Sequence, residues 1–233
     1  MSDNIILENS NKTKPILWVT LLAWLAIVLF LGVNETLARE PGTPPIPLLI
    51  AVVAPILVYL TAYWSVARFR ELVLSSDLQF AAGIQTWRFG GLAFIALYVY
   101  GVLPGLFAWP AGLGDMAIGI TAVWVIRALR DRPDFVKSKA YRTWNLLGIL
   151  DLVTAVSLGA LSAYLGIGTS ETISTFPMVR LPLVLIPAFL VPLFIMMHLT
   201  SLIQSRKLAA TGKSCAWVGQ RILCGMKETT THA

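Results

Sequence analysis

The sequence predicts an all-α fold, an integral membrane bundle of six transmembrane helices with its N and C termini cytoplasmic. Three observations predict it. Of the 233 residues 57% are hydrophobic and only 13% are charged, where a soluble domain carries about 25% charged residues. Six apolar stretches, 15–33, 46–67, 87–109, 112–130, 144–166 and 178–203, approach the roughly 20 residues a spanning helix needs. Of the eighteen Lys and Arg residues, all but Arg39 and Arg180 fall on one side of those stretches.

The elements follow in order. A cytoplasmic arm, 1–14, carries Lys12 and Lys14 ahead of the first span. That span is too long for a signal-peptide h-region and has no small-x-small site after it, so it is expected to stay uncleaved. Pro41, Pro44, Pro45 and Pro47 make the first outer loop stiff and extended. Residues 69–80, with Phe69, Leu72, Val73 and Phe80 among polar neighbours, read as a short helix in the cytoplasmic interface. The 127–142 segment holds Arg127, Arg130, Arg132, Lys137, Lys139 and Arg142. It is expected to touch anionic lipid head groups, at about 1 kcal/mol per basic residue near the surface. The transmembrane domain covers 15–203. The tail, 204–233, adds Arg206, Lys207, Lys213, Arg221 and Lys227, and its Trp217, Ile222 and Leu223 are candidates to lie on the membrane.

This distribution of positive charge places the basic loops in the cytoplasm and the protein in the plasma (inner) membrane. The net charge of +6 is not arranged as a basic face interleaved with aromatics, so nucleic acid is not an expected partner. The lipid bilayer is the expected partner, with a homo-oligomer or another membrane protein left open. Cys215 and Cys224 form no CxxC pair and are expected as free thiols in a reducing compartment. No cofactor or metal is implied, since HExxH, GxSxG and Gly-rich phosphate loops are missing from the sequence. Only His198 falls within a span, too few for a bis-His haem.

Helical rotation puts Gly112, Asp115, Gly119 and Ala122 on one face of the fourth span. Small residues let a neighbouring backbone approach, so Asp115 is expected to point at protein. On the fifth span Gly148, Asp151, Thr154 and Ser162 share an arc of about 120°, a stripe suited to a bundle interior or a hydrated crevice. Pro182, Pro187 and Pro192 predict a broken sixth helix. Broken helices often border transporter sites, although prolines are common in membrane helices generally.

Gly112-Leu113-Gly114-Asp115 matches GxGD and resembles the motif of intramembrane aspartyl proteases, and Pro187-Ala188-Phe189 is similar to the P-A-L motif of some of them. The resemblance implies a hydrolase in which Asp115 and Asp151 share a proton and activate water. Depth opposes it. From the span ends Asp115 lies about 5 Å from the outer end and Asp151 about 10 Å from the inner end, leaving about 15 Å between them. A wider stretch resembles a family of bacterial multi-pass membrane proteins with no assigned activity. It runs from Gln85 and Arg88 through Leu103-Pro104, Phe107-Ala108, Pro110-Ala111-Gly112 and Gly114-Asp115 to Trp144-Asn145 and Asp151. It covers about half the chain.

Charge inside a bilayer needs a partner or a purpose. The substrate or gating candidates are therefore Arg88, Asp115, Asn145, Asp151, Thr154, Arg180 and His198. Two ion-pair layers are expected, Arg88 with Asp151 near the cytoplasm and Asp115 with Arg180 near the outside. They would gate a small-solute permease or channel-like transporter in which Asp151 or His198 carries a proton. Helix-dipole stabilisation of Asp115 and snorkelling of Arg88 and Arg180 offer a purely structural account. An intramembrane aspartyl hydrolase and a non-enzymatic accessory or assembly subunit are the other two readings.

Overall fold

A chain with so few polar side chains must pair its backbone N–H and C=O groups locally, and helices do so within each segment. The computed structural model describes residues 2–39, 43–165, 173–210, 214–218 and 221–225, with side chains described from residue 16 to residue 210 of that set. The chain is helical throughout these residues apart from turns and one hairpin. Five helical segments are long and apolar enough to cross a membrane: Ile16–Val33 within α1 (Ser2–Val33), α2 (Ile46–Ser65), α6 (Gly105–Asp131), α7 (Lys139–Tyr164) and Ile186–Ala210. The arm expected at 1–14 is thus the start of α1. Pro41, Lys213 and Lys227 lie outside the described residues.

A sixth helical run covers 78–99 in three pieces: α4 (Leu78–Ile84), a 3₁₀ segment (Gln85–Gly91) and α5 (Leu92–Val99). At 1.5 Å per α and 2.0 Å per 3₁₀ residue it extends about 36 Å. The expected third and fourth spans, 87–109 and 112–130, are therefore displaced. The chain reverses at Tyr100–Pro104, not near Pro110. Gly101 takes a φ of 70° there and Pro104 caps α6. Pro110 sits early in α6, where it forfeits one helical hydrogen bond without ending the helix.

The last long helical segment is broken, as its prolines predict. A 3₁₀ turn at Phe176–Val179 leads through a cis Leu181–Pro182 bond to a π segment, Ile186–Leu190, and then to α8 (Val191–Ala210). The expected interfacial helix at 69–80 appears as α3 (Ala67–Leu74), followed by a turn into α4. Phe69 packs edge-on against Tyr59, with ring centroids 5.6 Å apart. Gln204 of α8 donates to the carbonyls of Val73 and Ser76 at 2.8 and 3.0 Å, closing the end of α3. In the tail β1 (Ser214–Val218) and β2 (Arg221–Gly225) pair antiparallel with Ala216 opposite Leu223. This hairpin is the exception to the all-α expectation. The side chains of Trp217, Ile222 and Leu223 are outside those described.

Two packing clusters fix the direction of the helices. Leu78, Val125, Leu129, Val136 and Tyr141 meet at one end, joined by Leu208. Because Arg127, Arg130, Arg132, Lys137, Lys139 and Arg142 flank this cluster in sequence, it marks the basic end. Phe94, Leu103, Phe107 and Met178 meet at the opposite end. The run 78–99 is thus antiparallel to α6, α6 to α7, and α7 to α8. Large apolar side chains cover the outside, Phe30, Val58 and Leu150 being 67%, 68% and 60% exposed. An apolar surface of this extent marks a membrane or protein-interaction face.

The turn generates a stability prediction. Gly101→Ala places a side chain in the left-handed region and is expected to cost about 1–2 kcal/mol. Gly90→Ala, with open space around its new Cβ among the described residues, is expected to cost under about 0.5 kcal/mol. Thermal melting of the two purified variants in detergent compares them directly.

Candidate functional site

Arg88 stands in the middle of the 3₁₀ segment and is only 2% exposed. Its guanidinium donates from three nitrogens. Nε donates to Asp115 Oδ1 at 2.7 Å, and Nη2 donates to Asp151 Oδ2. Nη1 donates to the Gly148 carbonyl at 3.2 Å and meets His198 Nε2 at 3.2 Å. Since an arginine nitrogen can only donate, His198 Nε2 is the acceptor and its proton is on Nδ1. Nδ1 faces Asn145 Oδ1 at 2.9 Å, and Asn145 Nδ2 donates onward to the Tyr141 carbonyl at 2.8 Å. Trp144 closes the side of this chain, with its ring 5.3 Å from the imidazole and its Nε1 donating to Thr121 Oγ1.

Each helix contributes for a local reason. A 3₁₀ backbone turns out fewer side chains per unit length and marks strain or a hinge when it interrupts a helix. Here it packs on α6 directly: a Cβ added to Gly119 would lie 2.5 Å from the Phe89 nitrogen and 3.0 Å from the Arg88 carbonyl carbon. A Cβ on Gly112 would meet the Gly91 carbonyl at 3.0 Å, and one on Gly91 would meet the Asp115 Cβ at 2.5 Å. A Cβ on Gly114 would collide with the Asp151 carboxylate, and one on Gly148 with the His198 ring. The two glycines of GxGD are therefore spaces, one for a neighbouring backbone and one for a carboxylate.

The structure brings Arg88, Asp115, Asn145, Asp151 and His198 into one layer and leaves out two other candidates. Thr154 is exposed on the outside of α7. Arg180 pairs with Glu35 at 3.2 Å and lies over the Phe176 ring, 4.6 Å from its centroid. The expected Asp115–Arg180 layer is thus replaced by Asp115 on Arg88. The separation of about 15 Å expected between Asp115 and Asp151 is also corrected. With α6 starting at Gly105 and α7 at Lys139, Asp115 lies about 15 Å and Asp151 about 18 Å along their helices. Both are midway. His198 likewise lies well inside its helix, because α8 continues to Ala210.

A cavity of about 100 Å³ descends from the end opposite the basic one to this layer. Arg39, Ser174 and Thr175 stand at its mouth, Phe94, Phe107, Leu152 and Val156 form walls, and Asp115 lies at its floor. The stripe expected on α7 contributes only Ser162; neither Asp151 nor Thr154 lines it. The walls are apolar instead of the polar crevice expected. The face of Gly112, Gly119 and Ala122 is buried within the chain, so it is not free to receive a partner subunit. Gln85, fully buried one turn before Arg88, donates to the Phe194 carbonyl at 3.3 Å. It was not among the expected site residues, although it opens the stretch that resembles the multi-pass family.

A family model described as a domain of unknown function (DUF8737) matches residues 44–206, a stretch that contains the entire Arg88 layer and most of the cavity. No curated protein and no solved structure matches the chain.

Removing Arg88 leaves two carboxylates facing each other in an apolar interior. Arg88→Ala is expected to destabilise by about 3–5 kcal/mol or to prevent accumulation of folded protein. Gly114→Ala, which dislodges Asp151, is expected to fall between Arg88→Ala and wild type in a detergent melting series. Equal melting of Gly114→Ala and wild type would show that Asp151 does not depend on that space.

Proposed function

From a chain that belongs to the DUF8737 family, whose description assigns no activity, we propose that the protein is a multi-pass membrane carrier for a small solute. A proton held by the Arg88–Asp115–Asp151 site is coupled to its movement. The single observation that carries this reading is the charge count of the layer. Two carboxylates share one guanidinium, and the imidazole beside them accepts from that guanidinium and so bears no charge. With both carboxylates ionised the layer holds one negative charge in excess, midway along helices long and apolar enough to span a bilayer. Such a charge is costly unless a proton or cation joins it.

The cavity supports the same reading. On the orientation expected from the basic loops, its mouth opens to the outer face and its floor is Asp115. Beyond the layer, Leu129, Val136 and Tyr141 are fully buried and close the cytoplasmic half. The arrangement corresponds to one access state of an alternating carrier. The π segment, which gives Ile186 and Pro187 to the cavity, and the 3₁₀ segment, which carries Arg88 against Asp115, are the irregular elements around which it would rearrange. In a cycle, a proton reaching Asp115 or Asp151 leaves one carboxylate for one guanidinium and makes the layer neutral. Release of the proton restores the negative charge.

The hydrolase reading is less well supported. A proton-sharing dyad needs both carboxylates free to hold one water. Here each has an oxygen committed to Arg88, so the pair is not free to hold a water between them.

Proteoliposomes loaded with a pH-sensitive dye test the proposal. Wild-type protein is expected to move protons when a transported solute is added from a panel of small amines, acids and neutral solutes. Asp151→Asn is expected to reduce that movement at least tenfold at equal reconstituted amount. The triple change Arg88→Met, Asp115→Leu, Asp151→Leu separates coupling from scaffolding. A buried ion set replaced by apolar residues is often neutral or stabilising by about 1–4 kcal/mol. This variant is therefore expected to fold and to be inactive. Solute-coupled proton movement that survives in it would overturn the assignment.

A further inference from the structure

The cavity has one chemical character along its walls and another at its floor. Phe94, Phe107, Leu152 and Val156 offer no hydrogen bonds from their side chains, so whatever lies between them must be largely apolar to gain from burial. At the floor Asp115 Oδ1 is taken by Arg88. Its Oδ2 has no hydrogen bond among the described residues, and Asp115 is the one acidic residue lining the cavity. Near the mouth Ser162 Oγ is fully buried without a hydrogen-bond partner, and Ser162 also lines the cavity. Ser162 lies eleven residues along α7 from Asp151, about 16 Å toward the mouth. The cavity is therefore elongated, with a negative floor and a neutral polar group high on one side.

Three ligand classes fail against this. An anion meets a layer that already carries one carboxylate too many. Ca²⁺ and Mg²⁺ take six or more oxygens and Zn²⁺ takes three or four His, Cys or carboxylate ligands, and the floor presents one carboxylate against hydrocarbon. A neutral apolar molecule leaves the floor charge unanswered. We propose that the cavity binds a protonated lipophilic monoamine, its ammonium group donating to Asp115 and its apolar body lying along the walls. A charge-assisted N–H···O bond is about twice as strong as a neutral one, and the ammonium makes the layer neutral as a proton would. The inference deepens the carrier reading by naming its substrate class and rests on that reading only for movement. Binding is independent of it.

Equilibrium binding to the purified full chain in detergent tests the proposal, with n-butylamine, small enough for a cavity of about 100 Å³, as probe and 1-butanol as its neutral counterpart. At pH 7 the amine is protonated, since alkylammonium groups titrate near 10. Wild-type protein is expected to bind the amine at least tenfold more tightly than the alcohol, above the empty-micelle background. Asp115→Asn is expected to lose at least tenfold in amine affinity and less than twofold in alcohol affinity. Equal binding of amine and alcohol by wild type, or no amine binding, overturns the proposal even if Asp115→Asn fails to fold. Amine binding without proton movement in proteoliposomes supports the site and sinks the carrier reading. Proton movement with another solute and no amine binding sinks the site alone.

Discussion

The guanidinium of Arg88 has to be satisfied inside an apolar bundle, and the arrangement of four helical segments follows from how that is done. A lone cation so placed would cost many kcal/mol. Four of its five N–H groups find acceptors: a carboxylate on α6, a carboxylate and a carbonyl on α7, and an imidazole on α8. None of these can reach Arg88 unless the backbones come close, and the glycines at 91, 112, 114, 119 and 148 are what bring them close. The 3₁₀ form of the Arg88 segment belongs to the same solution, because it lets backbone at 88–89 lie on Gly119. Packing and charge here are one constraint.

The layer is nonetheless not the one that a structural clamp requires. A clamp is complete with one carboxylate per guanidinium, and a second adds like-charge repulsion and a second desolvation penalty. Asp115 could be asparagine and still accept from Arg88 Nε. That it is a carboxylate, and that it is the member of the layer reached by the cavity, puts the second carboxylate where a solute could approach it. The second carboxylate and the cavity that reaches it are separate observations, and a clamp requires neither.

Much of this was legible in the sequence, and the main failures share one cause. The ionisable residues of the apolar helices stand out by their rarity, the small face of α6 by its period, and the broken last helix by Pro182, Pro187 and Pro192. The error lay in a boundary. Pro110 and Gly112 look like the turn between two spans, whereas Gly101 and Pro104 make it. Shifting that turn by about eight residues moved Asp115 from a helix end to mid-helix, and with it the inferred depth and partner. Hydropathy could not place the turn, because 100–112 is apolar throughout. Thr154 failed for a smaller reason: a rotation about an ideal axis put it with Asp151, but the contact face of α7 is set by Asn145, Gly148, Leu152 and Ser162, all buried.

The same correction changes what GxGD means in this chain. A motif that resembles a catalytic one has its aspartate at the right depth to meet a second aspartate, so distance no longer argues against hydrolysis. What argues against it is the identity of the residue between them. Lysine there would present a point charge on a flexible stem, able to serve one carboxylate and free the other. Arginine presents a planar fork whose Nε and Nη2 engage both carboxylates at once while Nη1 ties them to α7 and α8. Such a fork suits a site that must hold two acidic groups in register and count the charge between them. It is ill suited to one that must leave both free to work on a water molecule. The glycines serve the fork, and the motif in this protein is the geometry by which two carboxylates reach one arginine.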